Sequence, residues 1–388
     1  MTLRDWLNTR QWIIQGSGEF CQPVSANSLL QFAPEPIWPG LMPPDLLPIL
    51  GDDYGDWLCL RISPDDTVSE IVHWYHGGGD WIPWGKNLPE AILFQYARDR
   101  LSGLQHRHAV PAQPLRHSVT DDPHVAWAVP QLGANGERWV EIVDAAGDGQ
   151  AIAVMEQLLE LDIASVSLRA EVMLHHHQQQ SWQSLLAHAQ AVAQQRRDLA
   201  WPFHRIGWLA EQRQDWSIAW QAYKQALFAS VFTEQAVRFR ISLGEEIAEK
   251  YACNRMLSLA DCQPALIQSL QDAAQVDAVT ARPIEPSGYQ YWQLYRGTSG
   301  KQRLDAIGRF WHDLAQQAAA VGDWGAAYDY WMHAGWDVGL PNLIDCGPLL
   351  KSLVTAAKNA GQLARAAVAQ THLNCFQRRF EIGKPGSR

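Results

Sequence analysis

The hydrophobic pattern changes period along the chain, and each change predicts an element. Trp57-Leu-Cys-Leu-Arg-Ile62 and Glu70-Ile-Val-His-Trp-Tyr-His76 alternate with a period of two. Between them lies Ser63-Pro-Asp-Asp-Thr67, rich in turn residues. Two alternating runs around such a turn predict a β-hairpin. Upstream, Leu3, Trp6, Leu7 and Ile14 give residues 1–15 a helical spacing that Gly16 and Gly18 end. The prolines between Pro34 and Pro48 exclude one regular element there. Downstream, Gly77 to Gly79 allow a tight turn before Trp81 and Trp84. Asn87 reads as a helix cap, with Pro89 in the first turn and Glu90 three residues on. Leu88, Ile92 and Tyr96 form one face of that helix, which ends near Ser102-Gly103. Residues 104–124 read as a linker. Val125 to Leu132 and Trp139 to Val143 flank Ala134-Asn-Gly136, and Asn-Gly predicts a second hairpin.

From Ala151 to about Phe380 the apolar spacing is three and four, which predicts helices. Two stretches share a pattern. Phe203, Ile206, Gly207 and Ala210 precede Ala219, Tyr223 and Ala226, with a turn at Gln214-Asp-Trp216. Trp311, Leu314, Ala315 and Ala318 precede Ala327, Trp331 and Ala334, with a turn at Gly322-Asp-Trp324. A weaker copy follows in Leu350, Leu353, Ala357, Gly361, Ala366 and Leu373. Small residues let two helices approach and large ones fill the gaps, as in tetratricopeptide-like hairpins.

The expected fold is thus an α+β N-terminal domain with an antiparallel-rich sheet over residues 1–105. A linker and β-hairpin follow over 106–150. An all-α, solenoid-like body of helical hairpins spans 151–380, with repeat-like units near 201–232, 310–340 and 347–376.

Charge changes this picture in one respect. The net charge is −10, and residues 1–145 carry nine Lys/Arg against eighteen Asp/Glu, a net of −9. The acidity belongs to the head. An acidic head repels phosphate backbones, so nucleic acid is excluded as its partner and a basic protein would be attracted. The six cysteines are scattered without a CxxC pair, which removes zinc ribbons and thioredoxin-like sites. No apolar run approaches a membrane span and no signal-peptide pattern opens the chain. A cytoplasmic location follows as the expectation.

Candidate chemistry is sparse. Asp52, Asp53 and Asp56 cluster before a strand and could bind a cation or act as acid and base; turn residues have the same composition. His175-His-His177 cannot converge on one ion from a single helix, because neighbours point about 100° apart; a solvated patch is expected. Gly297-Thr-Ser-Gly-Lys301 is not a phosphate loop, since Tyr295 and Gln302 stand where glycine and a hydroxyl residue are needed. No GxSxG occurs. Trp74, Tyr75, Trp81 and Trp84 are the densest aromatic group. Beside the acidic loop they would make a partner surface, or they pack beneath the helix at Pro89.

The run Leu47-Pro-Ile-Leu-Gly-Asp-Asp-Tyr-Gly-Asp-Trp-Leu-Cys-Leu60, followed by Ile71-Val-His-Trp-Tyr-His76 and then Trp81 to Phe94, resembles the SUKH superfamily. The resemblance covers roughly residues 25–102. It implies an α+β domain with a central sheet, in a family of fungal cell-wall synthesis regulators and bacterial toxin-immunity proteins. Those are mainly protein-binding modules, and the match carries over no catalytic residues. The function expected is a scaffold or adaptor without catalysis, cofactor or metal. Asp52, Asp53, Asp56, Trp74, Tyr75, Trp81 and Trp84 are its candidate partner residues. An immunity protein against a basic toxin, or a hydrolase using Asp52 to Asp56, are the alternatives.

Overall fold

The computed structural model describes residues 2–9, 22–23, 42–52, 55–76, 81–101, 122–147, 149–227, 229, 248–266, 268–269, 294, 296–337 and 346–379. It has the α+β head and the helical body in the expected order. The head holds a five-stranded antiparallel meander of β1 (Gln22–Pro23), β2 (Leu46–Gly51), β3 (Trp57–Ile62), β4 (Val68–Trp74) and β5 (Trp81–Gly85). The hairpin expected around Ser63 to Thr67 is the β3–β4 pair, with Leu60 opposite Ile71 and Trp57 opposite Trp74.

Register divides the sheet into two faces, since alternate residues point to opposite sides. One face presents Leu47, Leu58, Leu60, Ile62, Ile71, Ile82 and Trp84. The other presents Leu46, Trp57, Cys59, Val72, Trp74 and Trp81. Both are buried, which is why β2, β3 and β5 read as nearly continuous apolar runs.

Helix α1 (Leu3–Asn8) starts with a capping box, Thr2 and Asp5 exchanging bonds, and sends Leu3 and Trp6 into the first face. Helix α2 (Leu88–Arg100) is capped by Asn87, whose Oδ1 accepts the Glu90 N–H at 3.0 Å. The Glu90 carboxylate accepts the N–H of Lys86 at 3.1 Å and that of Ala164 at 3.0 Å, tying the helix start to a segment 74 residues on.

The second hairpin does not form. Residues 123–144 make two helices, α3 (Pro123–Gln131) and α4 (Gly133–Asp144). Asp122 caps α3 by accepting from His124 and Val125, with Pro123 at the first position. Asn135 and Gly136 lie inside α4. A side chain at Gly136 would meet the Val129 carbonyl at 2.5 Å, so glycine serves helix contact here, not a turn. Trp139 donates its indole N–H to the Leu93 carbonyl at 3.0 Å from a fully buried position. Packing against α2 decided against the local Asn-Gly preference. Residues 102–121, most of the expected linker, lie outside the described residues.

Helices α5 (Ala151–Leu158) and α6 (Ser165–Gln178) complete the first face's cover. Helix α6 also guards edge strand β5. Pro83 has no N–H to offer there, and its carbonyl accepts the Ser167 hydroxyl at 2.8 Å. The second face is covered by α7 (Trp182–Gln195), α8 (Ala200–Gln212) and Cys375 of the last helix.

Among the described residues the body repeats one hairpin. The α6–α7 pair closes with left-handed Gln180 and the Ser181 N–H on the His176 carbonyl at 2.8 Å, and three later hairpins close the same way. Helix α8 pairs with α9 (Trp216–Leu227), which packs on α10 (Ala248–Cys262). Helix α11 (Gly300–Ala320) pairs with α12 (Trp324–Met332), and α13 (Cys346–Asn359) with α14 (Leu363–Arg379). Each turn carries a left-handed residue, Gln214, Gly322 or Gly361. Each then closes with the same backbone bond, from Asp215 to Ala210 at 2.9 Å, Asp323 to Ala318 at 2.9 Å and Gln362 to Ala357 at 2.8 Å. That bond reaches back five residues, closing a six-residue turn, to satisfy a helix-end carbonyl. Gly207 faces the Tyr223 ring and Gly347 the Phe376 ring, so the small-against-large pairing is a real contact. Residues 230–247 and 270–293 lie outside the described residues. No helix among those described is long and apolar enough to cross a membrane.

Candidate functional site

The acidic loop between β2 and β3 turns its carboxylates inward. Asp52 Oδ1 accepts the Asp56 N–H at 2.7 Å, and the Asp52 N–H donates to the Asp56 carbonyl at 3.1 Å. Asp56 Oδ1 accepts the His76 backbone N–H at 2.9 Å and lies 2.7 Å from His76 Nδ1, while Oδ2 lies 3.6 Å from His73 Nε2. Burial pushes the Asp56 carboxyl upward, but the bonds from His73 and His76 outweigh it and hold it below its usual value. The pair closes a loop and anchors the end of β4. Asp53 lies outside the described residues.

The aromatic group is not a surface. Trp74 and Trp81 are register partners on one face of the sheet, 1 % and 3 % exposed, and Trp84 is fully buried on the other. Arg61 stacks on Trp81 at 4.5 Å, and Arg98 on Trp84 at 4.6 Å. Tyr75 is half-buried and stacked on His73. The three tryptophans are consumed in the core and only Tyr75 keeps some exposed surface, so these four residues do not form one partner patch.

The charges of the head meet the body instead. Arg196, just after α7, reaches Glu70 of β4 with two bonds, Nη1 to Oε2 at 2.6 Å and Nη2 to Oε1 at 2.9 Å. Arg61 Nη1 lies 3.0 Å from Glu70 Oε1 and 2.5 Å from Asp198 Oδ2. Its Nε reaches Asp45 at 3.4 Å. Burial would raise the Asp198 carboxyl, but Arg61 and Arg196 hold it far below the carboxylate range. Asp45 goes the other way, because its desolvation exceeds the pull of Arg61. At the far end of the same hairpin the Asp66 carboxylate bonds the start of α14. On the second face, His372 of α14 donates to the Leu46 carbonyl at 2.9 Å.

One further group converges that sequence reading did not assemble. Glu156 of α5, His176 of α6 and His188 of α7 place their ligand atoms within 4.8 Å of one another. Glu156 Oε1 lies 3.1 Å from His176 Nε2 and 3.2 Å from His188 Nε2. The two rings stack with centroids 5.6 Å apart. Arg169 Nη1 sits 2.9 Å from His188 Nδ1; a guanidinium only donates, so Nδ1 accepts and Nε2 holds the ring proton. Burial, with help from Arg169, depresses His188 below the ordinary histidine value although Glu156 pulls it up. Two of the three histidines are therefore drawn into packed contacts and are not part of a solvated patch. His176 joins this cluster, while His177 packs edge-on to Trp182 and Trp208 and is pushed down to about 4 by burial and by Arg205. The three histidines cannot meet at one ion, because neighbours on a helix point about 100° apart. His176 converges with ligands from neighbouring helices instead, 20 and 12 residues away along the chain.

No protein-family model, curated protein or solved structure matches this chain.

Proposed function

We propose that the chain is a cytoplasmic protein–protein interaction scaffold whose contacts are made by the helical body. The observation that carries this reading is the series of equivalent hairpins, four among the described residues, each closed by the same turn and the same six-residue backbone bond. Such units bury their faces on their neighbours and leave an extended outer surface, an arrangement suited to holding a peptide or helix. The head's resemblance to the SUKH superfamily fits a protein-binding role as well. Its sheet is covered on both faces and β5 is guarded by Ser167, so the head serves as a clasp for the body's first and last helices.

The immunity reading ranks second. Capture of a basic toxin by charge asks for free carboxylates on the head. Asp45, Asp56, Asp66, Glu70, Glu90 and Asp144 are instead engaged within the chain.

Ile218, Val321 and Leu363 are the large hydrophobic residues left exposed among those described. Native mass spectrometry after affinity purification of the intact chain tests the reading. A stoichiometric protein partner that is lost on Val321→Ser and Leu363→Ser supports it. A chain that stays alone overturns it, and a basic partner that survives those substitutions but binds the isolated acidic loop's variants less well favours the immunity reading.

A further inference from the structure

The geometry points to a binding site for a divalent transition-metal ion of the zinc class, formed by Glu156, His176 and His188. Two imidazoles and one carboxylate are the donor set that zinc and its neighbours take, and that magnesium and calcium do not. Three ligands from three successive helices leave further coordination positions for water or a partner's side chain, and Glu156 is 40 % exposed on the open side.

The spacing suits an ion. Zinc bonds to such ligands run about 2.0–2.1 Å, which sets neighbouring ligand atoms about 3.3 Å apart around a tetrahedral centre. Glu156 Oε1 already stands 3.1 and 3.2 Å from the two Nε2 atoms. Both Nε2 atoms address one point because both bond the same carboxylate oxygen. In the metal-free chain at least His188 directs an Nε2 proton there. An ion would take that place, and the His188 proton would move to Nδ1 as the neutral ring changes tautomer.

That shift names the group that regulates the site. With the proton on Nδ1, two donors would face each other across the 2.9 Å from Arg169. A metal-bound histidine usually gives its second N–H to an acceptor. Arg169 offers none, so it must swing away for the ion to bind. It acts as a brake, and an acceptor at position 169 would support the metal form.

The test is zinc titration of the intact chain by calorimetry and by competition with a chromophoric chelator, with cobalt absorption as a report on coordination. The wild type should bind an equivalent of zinc that His176→Ala and His188→Ala each weaken at least tenfold. Arg169→Gln should tighten the same equivalent about tenfold, the scale of effect that groups behind a ligand have. Unfolding profiles of the variants show that they fold. If zinc fails to bind even to the Arg169→Gln chain, or if both alanine variants bind it as tightly as the wild type, the proposal is wrong. Tightening by Arg169→Gln that persists in His188→Ala would likewise overturn it, because the effect would not pass through that ring.

Discussion

Asp66 accepts the backbone N–H of Ala364 with both carboxylate oxygens, at 2.9 and 3.0 Å, across 298 residues of sequence. Its Oδ1 also takes the Arg365 N–H at 3.0 Å. In the α11–α12 hairpin of the body the equivalent job is done locally, where Asp323 caps α12 by accepting from Ala326. The α13–α14 hairpin has Gln362 at that position, and the Gln362 amide instead donates to the Pro64 carbonyl at 2.6 Å. The turn of the head therefore supplies the cap that the last helix lacks. A negative group at a helix start is favoured by both the free N–H donors and the helix dipole.

Removing this cap should loosen the far end of the chain. Asp66 also sits in the left-handed region, at φ 64°. Alanine would lose the cap and strain the turn, a combined cost of about 2 kcal/mol. Asparagine tolerates the turn and keeps one acceptor, so Asp66→Asn should cost less than half as much. Urea unfolding gives the two values, and hydrogen exchange at Ala364 and Arg365 should quicken in both variants. Equal stability of Asp66→Ala and wild type would show that the long-range cap contributes nothing.

Glu70 holds two guanidinium groups, Arg61 and Arg196, between the head and the loop after α7. Taking it away leaves two largely buried positive charges with less compensation. Breaking a buried pair on one side costs about 3 kcal/mol, and Glu70→Ala should approach that. Because the charges are shielded from solvent, added salt should change the loss little. A double-mutant cycle with Arg196→Met isolates the pair, and a coupling near zero would mean that the contact is incidental.

Much of the fold was legible from local rules. The β3–β4 hairpin, the Asn87 cap and the three repeat-like hairpins each follow from periodicity plus one or two special residues. Ala210, Ala318 and Ala357 were visible as repeat positions, and they are the acceptors of their hairpins' turn bonds. Helices α3 and α4 were not legible, because Asn135-Gly136 carries the same local preference in a helix contact as in a turn. The site residues fared worse for a related reason. Whether Trp74 is a contact or core depends on helices more than a hundred residues away. The Glu156, His176 and His188 cluster has no spacing motif, since its members come from three helices.

Gly347 separates helix propensity from packing. On propensity alone, Gly347→Ala inside α13 should stabilise by about 1 kcal/mol. Its Cβ, however, would stand 2.5 Å from Phe376 Cε1 on the partner helix. Overpacking a core contact costs roughly 1–3 kcal/mol, so the net effect should be destabilising. Phe376→Leu should remove the clash, making the pair of changes less harmful than their sum. Gly207→Ala, at 2.6 Å from Tyr223, should follow the same sign. A stabilised Gly347→Ala chain would show that the hairpin can open to accept a methyl group.

His372 makes the clasp between head and body sensitive to acid. Burial pushes it down to about 4 from its ordinary 6.5, although the bond to the Leu46 carbonyl opposes this. Between those two values the unfolded chain holds a proton that the folded chain does not. Stability therefore falls as pH drops from 6.5 toward about 4 and levels off below, by at most about 3 kcal/mol from this residue. His177, pushed down to about 4, adds to the same slope. Asp198 and Asp56 are held below their usual values, so their contributions are lost at the acid end of the range and beyond. His372→Gln keeps an N–H for the Leu46 carbonyl and removes the titrating ring. Its melting temperature should fall less steeply than that of the wild type between pH 6.5 and 4. Parallel curves would mean that His372 gains its proton without opening the clasp.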